Sequence, residues 1–544
     1  MNYRERTKER PELQWDWGHA FSGIEVNKQP VSQVLGPMLA AHRFTLPLTQ
    51  LARAVSYSGS STRLRHVVGR LLAGREVRVG VVGGSISWGH GSGNRGEADW
   101  FSIFSKWLIA AFPRSNVTTR NGCVPGVTSQ YMIMCLEQSL DAGVELVFVE
   151  FNLNDGQDSA LYDNRPVKDT ERLVRRLLAL PSRPAVVLLH SPQHGMASYP
   201  EGHPKNPDQE LYVPFYQTPE DAYGAISQYY DVPGLSMRTA LYRLAAHLQR
   251  EGFLWEQTFQ DIHPGVHGHR CVADLPIYLL QQVALGLLLR PFSAEDEEVL
   301  REALPPPMYA GNDPPDAPMC VLYDQFKSLV LSATGWEYRD EGTPGKPKPG
   351  FIATTPGSKL VLRINTDRTT PPRRPPPPAG SATEAAAAGL VAAAAAAAGS
   401  SQVAPQQLGT DPVRVFFFLL RSYEHMGMAS ISCVSGCTCT PLTVDGNNDR
   451  RASQLHLIPL SVSQAAQCDM AIEVLSTTNS KEHKFKVAGV AVAERAGSES
   501  YLDSLVGTAG GEFGVKEHTG QRQAVTWSKA GRQGGPENKG EWRH

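Results

Sequence analysis

Val77-Arg78-Val79-Gly80-Val81-Val82-Gly83-Gly84-Ser85-Ile86-Ser87 is the stretch on which the reading of this chain turns. Val77 to Val82 is short, rich in valine and apolar on both faces. Such runs suit the central strands of a parallel sheet covered by helices on both sides. Gly83 and Gly84 permit a tight turn and a close backbone approach. Ser85 then stands at the carboxyl end of a strand, where α/β sheets place their ligand crevice. A Gly-Gly-Ser turn taken alone requires no chemistry. A dinucleotide-binding turn is the weaker reading: Gly83, Gly84, Gly89 and Gly91 do not form GxGxxG, and no acid ends a second strand about 20 residues on.

Similar runs recur on either side of helical patterns. Leu146 to Phe151 and Ala185 to His190 are further strands of this kind, and 99–111, 129–142, 169–180 and 236–250 read as helices. A helix over about 268–288 closes the segment. This alternation predicts a doubly wound α/β layer domain over 76–292. Residues 1–75 read as an irregular helical lead-in. From 315 the pattern changes to short runs separated by turn residues, at about 328–332, 350–354, 359–365, 413–420, 429–433, 454–459, 471–475 and 484–492. That spacing predicts a β-sandwich over 315–495, with Phe416-Phe417-Phe418 in a core strand. A Pro- and Ala-rich stretch at 366–411 reads as a disordered insert between two strands, and 497–544 as a disordered tail.

The 544 residues carry a net charge of -2, which gives no electrostatic case for nucleic acid or an anionic membrane. No run is read as reaching the ~18 apolar residues of a membrane span, and Met1 to Trp15 has no apolar signal-peptide core. The chain as given therefore reads as not exported, and a secretory or extracellular location follows only from a truncated start. Four of the eight cysteines, Cys433, Cys437, Cys439 and Cys468, are clustered. They suit disulfides or a metal; the zinc reading lacks histidines at finger spacing and a matching second cysteine pair. Asn116-Val117-Thr118 is a glycosylation sequon.

A serine is a nucleophile at neutral pH only with a base beside it, and the base works best when an acid orients it. Asp261-Ile262-His263-Pro264 supplies both types. His263, His267 and His269 also have the donor types of a zinc site. His190 and His194 read as loop histidines, Trp88, His90, Gln157 and Asp158 as crevice-lining residues, and Asp155 as a turn or helix-capping carboxylate.

Four segments, in order over roughly residues 76–285, resemble the SGNH (GDSL-like) hydrolase family. Val79 to Ser87 is similar to its first block, with Gly84 where Asp is commoner. Asn121-Gly122-Cys123-Val124-Pro125-Gly126-Val127-Thr128-Ser129 is similar to the second, Phe151-Asn152-Leu153-Asn154-Asp155 to the third with Asn152 in place of Gly, and Asp261 to Pro264 to the last. The resemblance implies a flavodoxin-like three-layer α/β/α fold, with Ser85 as nucleophile, His263 as base and Asp261 as acid. It implies an oxyanion hole made by the Ser85 N–H, the Gly126 N–H and the Asn154 side chain. It also implies a structural part for His269. The family's acid stands three residues before the histidine; here that position is Gln260 and the carboxylate is one residue later. Either Asp261 reaches the ring or a backbone carbonyl orients His263. The implied activity is carboxylic-ester hydrolysis with no metal or organic cofactor. The expected substrate is an acylated carbohydrate, most simply an O-acetyl ester, because an appended sandwich often holds glycan. A lipid or small-ester hydrolase, a glycan O-acyltransferase and an inactive glycan-binding protein are the alternatives. Oligomeric state is not legible in the sequence.

Overall fold

A computed structural model describes residues 37–38, 42–155, 164–192, 218–246, 255–259, 263–309, 312, 319–342, 348–368, 412–423, 425–447 and 454–493. Asp261, His194, Gln157, Asp158, most of the Pro/Ala-rich insert and the tail lie outside the described residues. The chain divides into two compact units at Pro314/Pro315.

The first unit holds six strands: β1 (Val55–Tyr57), β2 (Val77–Gly83), β3 (Val117–Asn121), β4 (Leu146–Glu150), β5 (Ala185–His190) and β6 (Gly234–Ser236). Their order is β1-β6-β5-β4-β2-β3. All neighbouring pairs from β3 through β6 are parallel; β1 joins β6 antiparallel. Without that edge strand the order is the flavodoxin-like one, and the chain reverses its winding direction between β2 and β4. Every residue of β4 and β5 is buried, as strands covered on both faces require.

The helices are α1 (Leu48–Ala54), α2 (Thr62–Leu72), α3 (Ser85–Trp88), α4 (Trp100–Ala111), α5 (Ser129–Ser139), α6 (Arg165–Leu178), α7 (Pro219–Tyr230), α8 (Met237–Ala246), α9 (Trp255–Thr258), α10 (Val266–Leu289) and α11 (Ala294–Arg301). The unit begins earlier than the sequence reading placed it. Residues 48–72 are not a lead-in: they form α1, β1 and α2, and Leu64, Val67, Val68 and Leu71 are core residues. The Thr45 and Leu46 N–H groups donate to the buried Asp274 carboxylate on α10 at 2.7 and 2.8 Å. Helix α10 also corrects the expectation about membrane spans. Its 24 residues are long and apolar enough to cross a bilayer, but most of that apolar stretch is buried inside the unit. Cys271, Leu275, Leu279 and Leu280 share one core with Trp100, Phe104 and Trp107 of α4.

The second unit has strands β7 (Met319–Leu322), β8 (Val330–Thr334), β9 (Glu337–Asp340), β10 (Pro349–Ala353), β11 (Lys359–Ile364), β12 (Val413–Arg421), β13 (Met428–Ser435), β14 (Leu442–Asp445), β15 (Gln454–Val462), β16 (Cys468–Val474) and β17 (Phe485–Val492). They form two antiparallel sheets, β15-β12-β17-β10-β9 with β7 added on β17, and β14-β13-β16-β11-β8. Phe416, Phe417 and Phe418 are all fully buried in β12, as a core strand between two neighbours demands. The clustered cysteines pair as Cys433–Cys439 and Cys437–Cys468, which occupies the thiolates that a zinc site would need.

Candidate active site

Strand β2 ends at Gly83, and the chain turns at once into the single-turn helix α3. The Gly84 N–H donates to the Glu150 carbonyl at 3.2 Å, tying the turn to the end of β4. The turn is held from below by a buried cluster. The Ser87 N–H and hydroxyl both donate to Glu150 Oε2, at 3.3 and 3.0 Å. The Trp100 indole N–H donates to the Ser87 hydroxyl at 3.1 Å, and the Asn121 amide to the Ser87 carbonyl at 2.8 Å. Ser87 is thereby fixed from three elements, and Ser85, two residues earlier, is half-exposed at the rim.

His263 reaches this rim from the opposite end of the sequence. It precedes α10 in a bend closed by a bridge between Phe259 and Pro264 and by the Gly265 N–H donating to the Thr258 carbonyl at 2.9 Å. The loop after α3 packs directly on this bend. At Gly91, with φ of 83°, a Cβ would lie 2.3 Å from the Pro264 carbonyl oxygen, so no side chain fits there. The result is a hydrogen bond of 2.8 Å between Ser85 Oγ and His263 Nε2 across 178 residues of sequence. With Nε2 unprotonated, the serine hydroxyl donates and the imidazole is placed to take its proton.

Asn154 approaches from the far side of the turn. A Cβ on Gly84 would sit 2.5 Å from its amide nitrogen, so this amide lies against the backbone that leads into Ser85. One N–H of the Asn154 amide donates to the Val127 carbonyl at 2.8 Å. This bond fixes the amide orientation and leaves the second N–H for another acceptor. Gly126, next to Val127, has φ of 77°, a left-handed conformation that suits glycine. Gly84 explains its own departure from the family's Asp: a larger residue there would displace Asn154.

Asn152, another departure, makes a pair of hydrogen bonds to the end of β5. Its amide donates to the Ser191 carbonyl at 2.7 Å and its carbonyl oxygen accepts from the Ser191 N–H at 3.0 Å. This reciprocal pair clamps the ends of β4 and β5 together. Asp155 is fully buried and accepts from the Ser129 N–H at 2.7 Å, the Tyr223 hydroxyl at 2.7 Å and the Thr170 hydroxyl at 3.1 Å. It caps α5 and anchors the segment that carries Gly126; burial raises its carboxyl above the ordinary range. His190 is not a loop histidine as its position suggested. It is the last residue of β5, buried, and burial drives its imidazole down to about 3. The histidine triplet does not gather into a site: His263 bonds Ser85, while the buried His269 accepts from the Trp100 N–H at 3.3 Å and donates to the His90 carbonyl at 2.8 Å. Among the described residues, the His, Cys, Asp and Glu groups close enough to hold an ion reduce to three of the disulfide sulfurs.

Glu150 is the residue the sequence reading passed over, although a lone carboxylate in the run Leu146 to Phe151 was its signal. Burial pushes it up to about 7, with the Ser87 hydrogen bonds pulling the other way. A carboxyl with a raised folded pKa contributes stability that is fully present below its unfolded value near 4.5 and is lost as pH rises toward 7. The change amounts to about 3 kcal/mol. Glu150→Gln keeps an acceptor for Ser87 without titrating. Urea unfolding between pH 5 and 8 should show wild type losing about this much relative to the variant, and parallel profiles would contradict the assignment.

Residues 81–271 match the profile of the GDSL-like Lipase/Acylhydrolase family. Among solved structures, a two-domain esterase active on acetylated mannans superposes with a TM-score of 0.54 at 18% identity, over 82% of this chain and 99% of that one. A two-domain esterase active on acetylated mannans, co-crystallised with mannopentaose, gives 0.53 at 18% identity, over 82% and 98%. No curated sequence matches the chain. With the serine turn, the histidine bend and the sheet order in place, the first unit is similar over residues 81–271 to the GDSL-like lipase/acylhydrolase family, and the chain is a carboxylic ester hydrolase.

Proposed function

We propose that this hydrolase removes O-acetyl groups from carbohydrate through an acyl-enzyme on Ser85. The observation that carries the chemistry is the 2.8 Å bond between Ser85 Oγ and His263 Nε2. Ser85 Oγ attacks the ester carbonyl as His263 takes its proton. The developing oxyanion is met by the Ser85 N–H, the Gly126 N–H and the Asn154 amide. Collapse of the tetrahedral intermediate expels the alcohol oxygen, which receives the proton from His263. Water then attacks the acyl-enzyme, gives its proton to His263, and the acid leaves as Ser85 is restored. Asp261, two residues before the base, is assigned to orient the His263 ring.

The carbohydrate assignment draws its support from the shared two-domain architecture: a neighbour acting on acetylated mannans aligns over almost its whole length. The sandwich is assigned to holding glycan, an analogy of fold. Two disulfides in that unit support folding in an oxidising compartment of the secretory pathway. Acetate release from acetylated glucomannan and acetylated xylan, measured beside p-nitrophenyl palmitate, tests the substrate. We expect acetate release from the polysaccharides and turnover of the long-chain ester at least tenfold slower. The reverse preference would replace this reading with a lipid hydrolase. Transfer of acetyl to an added sugar in excess of free acetate would make the protein an acyltransferase.

A further inference from the structure

We propose that His90 reads the alcohol half of the ester, its imidazole hydrogen-bonding a hydroxyl next to the acylated oxygen. This rests on the carbohydrate-ester reading above. The backbone of His90 is fixed at both ends. Its N–H donates to the Ser85 carbonyl at 2.9 Å, and its carbonyl accepts from His269 Nε2 at 2.8 Å. The tautomer of His269 follows from its partners: Nδ1 accepts the Trp100 backbone N–H at 3.3 Å, so Nε2 carries the proton. The first turn of α4 thus holds His90 through a buried histidine, and Gly89 and Gly91, at φ of 107° and 83°, turn the chain on either side of it.

The side chain is exposed while its backbone is pinned, and its ring lies 4.1 Å from that of His263, centroid to centroid. It is not a second base for Ser85, because the Ser85 hydroxyl is already bonded to His263. Its position has meaning for the other half of the substrate. The acyl oxygen has to face the donors at Ser85 and Asn154, and the departing oxygen has to reach His263 Nε2. The alcohol therefore lies over the His263 ring, where the His90 ring is an exposed neighbour among the described residues. A neutral imidazole offers one donor and one acceptor, which suits a sugar hydroxyl in either role. An alkyl alcohol would gain nothing from it.

The test compares one acyl group on two alcohols. Full-length wild type, His90→Ala and His90→Gln are assayed on acetylated manno-oligosaccharides and on ethyl acetate, which has an alkyl leaving group and no neighbouring hydroxyl. We expect the preference for sugar acetate, as a ratio of kcat/KM values, to fall about 10–100-fold in His90→Ala. His90→Gln, which retains a donor and an acceptor, should recover part of it. Equal losses on both esters would show His90 acting only through His263 and overturn the proposal, as would an unchanged ratio. Wild type that hydrolyses ethyl acetate but not sugar acetate is a distinct pattern. It would overturn the carbohydrate reading and this proposal with it.

Discussion

Ser85→Ala is expected to lower kcat toward p-nitrophenyl acetate by about 10⁴-fold or more. In the proposed mechanism the lost oxygen is the atom that forms the acyl bond. Ser87, the nearest alternative in sequence, is fully buried and bonded to Glu150 and Trp100. The substitution should leave folding within about 1 kcal/mol of wild type, because Ser85 is half-exposed and its hydroxyl meets His263 at the rim rather than inside the core. Urea unfolding measured alongside the kinetics separates loss of chemistry from loss of fold. Activity in the variant equal to that of wild type would remove Ser85 from the reaction.

Asn154→Ala is expected to cost about 10²–10³ in kcat with little change in KM, the pattern of a donor that acts on charge developing in the transition state. Gly84→Ala gives an independent route to the same loss. Its new Cβ would sit 2.5 Å from the Asn154 amide nitrogen, so the amide has to swing away, and the backbone of Gly84, at φ of -89°, is one that alanine accepts. Gly84→Ala is expected to lower kcat by at least tenfold, and the double variant to be no worse than Asn154→Ala, since both changes remove the same donor. Multiplying losses in the double variant would mean that Gly84 acts on something other than Asn154.

The parts of this molecule legible in the sequence are those set by local pattern. Val77–Val82, Leu146–Phe151 and Ala185–His190 announce buried parallel strands through β-branched runs, and the sandwich strands announce themselves through turn spacing. What the pattern misses is set by tertiary contact. Val117–Asn121 carries two threonines, an arginine and an asparagine, and it becomes β3 because it pairs with β2 at the sheet edge. Val55–Tyr57 is a strand only through its antiparallel partner β6. The site divides the same way. Ser85, Gly126, Asn154 and His263 were readable as motif positions, and the structure joins Ser85 to His263 and lays Asn154 against Gly84. The roles of Glu150 and Asn152 depend on which strand ends become neighbours, and no spacing in the chain encodes that.

The proposed chemistry depends on His263 activating Ser85. Labelling of the full-length protein with a fluorophosphonate, followed by peptide mass spectrometry, tests it without any choice of ester. A single adduct is expected on the peptide containing Ser85, and its loss in His263→Ala with the fold intact. An unlabelled protein, an adduct on another serine, or labelling undiminished in His263→Ala would contradict it.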